Sequence, residues 1–395
     1  MLAAVEREMP VATTLRHELH AVPELGYNEN KTIRRVADLL PVTGQPIART
    51  GLLARIGDSS SPAVAIRAEL DGLPFTEETG SAFAATNGYM HACGHDVHVA
   101  ALVAVVRAAH SMSKDLPAPL LGLFQPSEER HPSGALDVIQ SSDLLGDVRA
   151  VIAAHLHPDL TWGTVGAEAG VVNAAAEAVE ITIRGRAGHG AYPHHAKDPV
   201  LALAHVVVAL HTIVSRQVDP IHSAVVTVGA LSAGSSENVI PDSATARATL
   251  RALDPADLRL LHDAVQAVVT DIPRAFGCSG IVEFTKAEPP LVNSASLAAA
   301  VQQLAVGADL QIARPWRSCG GDDFAHYSRL APALMQFVGL RNGPGFAYAP
   351  LHHPKFMPPD EAIILVARAQ VLAYVAASTN SLIESTESAH EPHVE

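Results

Sequence analysis

Basic residues are scarce in this chain: 27 Lys and Arg stand against 41 Asp and Glu, leaving a formal net charge of −14. No basic block offsets that balance. Without clustered cations a polyanion or an anionic membrane surface meets no counter-charge, so neither nucleic acid nor a membrane is expected as a partner. Cysteine is scarcer still. Cys93, Cys278 and Cys319 are odd in number and far apart, which argues against a disulfide framework and for a reducing, cytoplasmic location. The first twenty residues carry Glu6, Glu8 and Glu18 and lack a basic start followed by an apolar run, so no signal peptide is expected. Apolar runs such as Val99 to Ala109 are broken by charge before the ~18 residues a membrane span needs.

What the chain has is apolar mass and histidine. At 395 residues and 48% hydrophobic it exceeds what one core usually needs, so two domains are expected and disorder is excluded as the dominant state. Its 21 histidines nearly match the 27 cations and sit in groups beside carboxylates, which points to metal or acid/base chemistry. Residues 12–40 carry apolar side chains at helical spacings, interrupted by Pro23, and predict two opening helices. PAVAIRAEL (62–70), LLGLF (120–124) and VRAVIAAHLHP (148–158) read as buried strands, the last two stopping at Pro126 and Pro158. Between them a helix runs from Val97 to about Met112, with Asp96 placed to cap it. Strands alternating with helices predict an α/β sheet, whose ligands collect at strand carboxyl ends. All three strands end in ionisable residues: Glu69 and Asp71, Glu128 and Glu129, His155 and His157.

A different rhythm starts near Ala176, in the order strand, helix, strand, strand, helix, strand. That βαββαβ order is ferredoxin-like and makes a complete inserted domain. The fold expectation is therefore a discontinuous mixed-sheet domain, 1–175 and 290–395, interrupted by an α+β domain, 176–289. The polar, acidic tail from Ser378 to Glu395 has no apolar period and is expected to be frayed.

The chemistry concentrates in a few short motifs. In M-H-A-C-G-H-D-V-H, Cys93 and His95 lie two apart around Gly94, a spacing at which thiolate and imidazole converge on one borderline ion such as Zn, Co, Ni or Mn. His91 and His98 are read as supporting residues. Q-P-S-E-E places Glu128 and Glu129 just past a strand; adjacent residues point different ways, so one carboxylate can bind metal while the other acts on a water as general base. His155 in A-A-H-L-H-P and His352 in L-H-H-P-K-F add nitrogen ligands, enough with the others for two metals. His157 and His353 are weaker candidates.

The ordered blocks R-A-E-L-D-G-L-P, H-A-C-G-H-D, F-Q-P-S-E-E, A-A-H-L-H-P, G-R-A-G-H-G-A-Y-P-H-H-A-K-D-P, N-V-I-P-D-S, G-G-D-D-F and L-H-H-P-K-F resemble the M20 metallopeptidases, within them the amidohydrolases of N-acyl amino acids, hippurate and auxin conjugates. The resemblance runs from about residue 12 to 378. It implies two divalent ions bridged by Cys93, with His95 and His155 on one and Glu129 and His352 on the other. It implies Glu128 as the base and Asp71 as the residue orienting a ligand. The inserted domain resembles the family's lid and dimerisation domain, in which residues matching His189 and Asn238 contact the scissile carbonyl and the substrate. A small-molecule N-acyl amino acid or dipeptide substrate and a homodimer or higher homo-oligomer follow from it.

The chain departs from the family where Arg130, His131, Pro132 and Ser133 replace the glycines after the acid pair, where Glu69 replaces an Asp, and where Gly320 to Phe324 reads G-G-D-D-F. None of these removes a ligand. The expectation is metal-dependent hydrolysis of the amide bond of N-acyl amino acids. Its rivals are a dipeptidase or aminopeptidase on the same centre, a catalytically silent metal-binding protein, and an amidase using Cys93 as nucleophile.

Overall fold

The computed structural model describes residues 1–141, 148–306 and 310–379; most of the acidic tail, 380–395, lies outside them. In chain order the elements are α1 (Leu2–Ala21), α2 (Asn30–Leu39), β1 (Gln45–Ile47), β2 (Gly51–Ile56), β3 (Ala63–Glu69), α3 (His95–Ser111), β4 (Leu120–Gln125), α4 (Gly134–Ser141), β5 (Val148–Thr161), β6 (Thr164–Gly166), β7 (Gly170–Asn173) and β8 (Ala175–Arg184). Then come β9 (Gly188–His189), α5 (Pro199–Gln217), β10 (Ala224–Ala233), β11 (Val239–Ile240), β12 (Ser243–Ala252), α6 (Pro255–Ala275) and β13 (Ser279–Glu288). The chain closes with β14 (Leu291–Asn293), α7 (Ala295–Ala305), β15 (Gln311–Ile312), β16 (Ala333–Arg341) and α8 (Ala362–Thr379). It divides into two units, one of Met1–Gly170, Val292–Trp316 and Asp323 onward, the other of Val171–Leu291 with Arg317–Asp322.

The first unit is built on an eight-stranded mixed sheet in the order β1-β2-β4-β3-β5-β16-β6-β15. β4, β3, β5 and β16 run parallel to one another, and β3 and β4 are buried along their whole lengths, as expected of strands covered on both faces. The apolar sides of α1, α3, α7 and α8 pack with the sheet into one core. Glu69 pairs with Gln125 and Arg67 with Ala153, so the ends of β3 and β4 and the middle of β5 reach one level, where the ionisable residues gather. The second unit is a four-stranded antiparallel sheet, order β10-β12-β8-β13, packed on one side against α5 and α6. Both helices start on an aspartate followed by proline. Asp198 accepts from the amides of Val200 and Leu201, and Asp254 from that of Ala256, the usual solution for orphan amides at a helix start.

Three sequence expectations need correction. Asp96 does not cap α3; the helix starts after Gly94, and the Asp96 carboxylate instead accepts from Arg16 Nε at 3.2 Å and His20 Nδ1 at 2.9 Å. Pro158 does not end β5, which continues to Thr161. Apolar runs do reach spanning length: α5 and α8 are long and apolar enough to cross a membrane by length and composition. α8, however, is almost wholly buried in the first core.

Arg16 is fully buried and also bonds Asp360 and the Pro358 carbonyl, tying α1 to α3 and to the segment before α8. Removing one member of a buried ion set leaves the others unpaired at a cost of about 3 kcal/mol or more. Arg16→Ala is expected to lower the unfolding free energy, measured by denaturant titration, by that amount, whereas Arg368→Ala, at a half-exposed pair with Glu6, should change it by about 0.5 kcal/mol or less.

Candidate metal centre and catalytic residues

Gly94 makes the first turn of the site possible. Its φ of 87° lies in the left-handed region, and a Cβ there would stand 3.0 Å from Leu156 Cδ1, so a side chain would be both strained and crowded. The turn sends Cys93 and His95 to the same place, both buried. Cys93 Sγ lies 3.4 Å from His155 Nε2. Each histidine spends its other nitrogen on a backbone carbonyl: His95 Nδ1 donates to Asp71 O at 2.8 Å, and His155 Nδ1 to Leu156 O at 2.7 Å. That fixes the tautomer and leaves Nε2 as a lone pair. His95 Nε2 is buried without a hydrogen-bond partner, 3.8 Å from Glu128 Oε2. Burial pushes the pKa of both imidazoles down, with His98 lowering that of His155 further, so both are neutral donors at pH 7.

The acid pair is held by its backbone. The Glu128 amide donates to Asp71 Oδ1 at 3.1 Å and the Glu129 amide to Asp71 Oδ2 at 3.0 Å. Before them, Ser127 takes a positive φ of 51°, and its amide donates to Glu29 Oε1 at 2.9 Å. Glu129 Oε1 lies 3.1 Å from His352 Nε2, while the His352 amide donates to Ala92 O at 2.9 Å. His352 thus arrives beside Cys93, and the ligand atoms of Cys93, Glu129 and His352 lie within 4.8 Å of one another, as do those of His95, Glu128 and Glu129. Burial works to raise the Glu129 carboxyl, but the hydrogen bond to His352 and the nearby His95 bring it below its ordinary value. The same contact to Glu129 raises His352.

In the second unit His189 and Asn238 are neighbours. β9 pairs with β11, and the Gly190 amide donates to Asn238 O at 2.8 Å. His189 Nδ1 accepts from the Ala191 amide at 3.0 Å, which leaves Nε2–H as a donor in the neutral ring. Both residues are exposed.

Sequence reasoning missed the layer under the acid pair. Asp323 accepts from Arg67 Nη2 at 2.7 Å, Gln125 Nε2 at 2.9 Å, Ser133 Oγ at 2.8 Å and the Ala135 amide at 3.0 Å. Glu69 pairs with Arg67 and with His98 Nδ1, while His98 Nε2 accepts from the Leu156 amide at 3.0 Å. Burial disfavours the Glu69 charge, yet Arg67 and His98 hold its pKa well below the usual carboxylate range. One signal was available: an arginine followed two residues later by a glutamate inside the mostly apolar AVAIRAEL announces buried charges that demand partners.

Residues 65–377 match Peptidase family M20/M25/M40. The chain belongs to this family. It is therefore a hydrolase of amide bonds. Among curated M20 relatives it is 37% identical over 356 residues to the N-acetyl-L-cysteine deacetylase of Bacillus subtilis strain 168, covering 89% of this chain and 84% of that one. It is 34% identical over 376 residues to the N-acetyldiaminopimelate deacetylase of Bacillus licheniformis, covering 93% and 98%. Among solved structures it resembles a dinuclear metal-binding M20 peptidase of Bacillus subtilis, with a TM-score of 0.80 at 28% identity over 95% of this chain and 99% of that one. A putative aminohydrolase from methicillin-resistant Staphylococcus aureus gives a TM-score of 0.86 at 28% identity, over 95% and 98%.

Because Asp71 carries both amides of the acid pair, Asp71→Ala should lower kcat/KM roughly 10- to 100-fold, the cost typical of losing an outer partner in a metal-type site. Steady-state kinetics beside far-UV circular dichroism would check this; unchanged kinetics in a folded variant would contradict it.

Proposed function

We propose that this M20 hydrolase cleaves the amide bond of N-acyl amino acids. The observation that carries the reading is the convergence of Cys93, His95, His155, Glu129 and His352, with two imidazole lone pairs turned inward and one of them buried without a partner. Sulfur, nitrogen and carboxylate donors in that number fit two divalent ions (Zn, Mn, Co or Ni), which Cys93, His95, His155, Glu129 and His352 would hold. Bound there, such ions supply Lewis acidity to the carbonyl oxygen and acidity to water.

The chain's own residues do the rest. Glu128, its backbone fixed by Asp71 and its side chain beside His95, takes a proton from the attacking water and returns it to the departing amine nitrogen. The Nε2–H of His189 donates to the carbonyl oxygen as negative charge develops there. Asn238, adjoining His189, binds the substrate. In this reading residues 176–289, which make up most of the second unit, are an inserted ferredoxin-like lid and dimerisation domain, and 1–175 with 290–395 is the catalytic domain. Homodimerisation is supported by exposed Val200, Leu201 and Val208 on α5 and Leu231 on the edge strand β10, a kind of surface monomers seldom leave uncovered. The three cysteines, none of them in a disulfide, support a cytoplasmic location.

Glu128→Gln keeps size but cannot accept a proton, so it should retain its metal content while losing roughly 100- to 10,000-fold in turnover. Cys93→Ser should lower the metal content by elemental analysis, because one thiolate serves both positions; unchanged content would remove its bridging role. If His189 acts across the dimer, mixing inactive His189→Ala and Glu128→Gln proteins under subunit exchange should restore about one working site per mixed dimer. Mixed dimers that form and stay inactive would confine His189 to its own chain.

A further inference from the structure

The aromatic surface beyond His155 has no part in the chemistry described so far. Aromatic side chains make up only 4% of the chain, with two tryptophans in all, yet three rings gather here. Phe337 on β16 pairs in register with His155 on β5, and side chains paired across parallel strands share a face. His157, two residues along the same strand, presents its ring 4.1 Å from Trp316 and 6.3 Å from Phe337, and Trp316 lies 4.5 Å from Phe337. The Asp159 amide donates to His157 Nδ1 at 3.2 Å and steadies that ring. Phe337 is buried while His157 and Trp316 are partly exposed, so part of the cluster is reachable from outside.

The sheet order says which part of a substrate would meet it. β4, β3, β5 and β16 lie side by side, so at this level the residues run from Glu128 and Glu129, just past β4, through Asp71, just past β3, to His155 within β5 and finally Phe337 within β16. The amine nitrogen must lie on the Glu128 side, because that carboxyl delivers its proton. The group on the other side of the carbonyl carbon then extends away from β4, towards β5 and β16.

We propose that His157, Trp316 and Phe337 form the acyl-binding wall of this enzyme and that its substrates are N-acyl amino acids whose acyl group is a long alkyl or aromatic one rather than acetyl. The proposal rests on the amidohydrolase reading above. It adds a preference opposite to the one suggested by the deacetylase names of its relatives. An acetyl methyl is too short to reach from the carbonyl to a wall one strand away. A hexanoyl or phenylacetyl group can lie along it, and each added methylene in such a contact changes kcat/KM about 10-fold or more.

The test compares acetyl-, hexanoyl- and phenylacetyl-alanine as substrates for the wild-type enzyme supplied with Mn, and for Trp316→Ala and Trp316→Leu. The expected result is a kcat/KM at least roughly tenfold higher for the two larger groups, with that ratio falling about tenfold in Trp316→Ala and partly restored in Trp316→Leu. Acetyl-alanine cleaved as well as the others, or a ratio unmoved in both variants, overturns the proposal and leaves the cluster as packing. A second readout does not need turnover. With Trp162→Phe making Trp316 the sole indole, hexanoyl-alanine should shift its emission at concentrations where acetyl-alanine does not. If no compound in the panel is cleaved, the amidohydrolase reading fails, and the wall then stands or falls on that titration; an unchanged emission overturns it.

Discussion

Three hydrogens end on Asp71. The amides of Glu128 and Glu129 share its two carboxylate oxygens, and the His95 ring donates to its carbonyl. One residue just past β3 therefore sets the backbone of the acid pair and the tautomer of a neighbouring donor at once. The other donors are placed in relation to this point: Cys93 through the Gly94 turn, His155 by its level on β5, and His352 through the Ala92 carbonyl. Side chains delivered by strand ends and a helix start vary little in position, which is what a centre requiring sub-ångström placement demands.

The electrostatics follow from that crowding. Burial pushes the Asp71 carboxyl well up, and the charges of Glu129 and Glu29 add to it against the pull of the two amides. Several carboxylates are thus held close to neutral imidazoles in a place with little water. Such an arrangement is costly when alone and favourable once positive charge enters, the pattern of a site built to receive cations. By contrast Glu69 and Asp323, one layer down, meet fixed partners in Arg67, His98 and Gln125 and brace the strands.

Much of this was legible in the sequence, and the limits have physical causes. Strands β3, β4 and β5 announce themselves by continuous apolar runs, and the ligand candidates by ionisable residues placed where those runs end. The Asp96 cap failed because its carboxylate bonds His20 and Arg16, 76 and 80 residues away, and long-range burial overrides a local capping preference. Pro158 failed as a terminator because the pairing of β5 with β16 shifts register between His157 and Thr161, and such a bulge takes a residue without an amide hydrogen while the strand continues. The Asp323 layer was invisible because its donors lie about 190 to 260 residues upstream, a separation that no local pattern encodes.

The loop after the acid pair is fastened at both ends. The Gly134 amide donates to Ser127 O, and Ser133 Oγ and the Ala135 amide both hold Asp323. At Gly134 a Cβ would fall 1.6 Å from Pro126 O, so that position admits no other residue. Arg130, His131 and Pro132, between the fastenings, are exposed. The exposed Arg130 side chain can change without dragging the two glutamates, which uncouples the chemistry of the rim from the geometry of the reaction. Diversification at Arg130 would therefore be tolerated by the fold, making that position a place where lineages, or a directed-evolution library, can explore new selectivity while the reactive centre stays fixed.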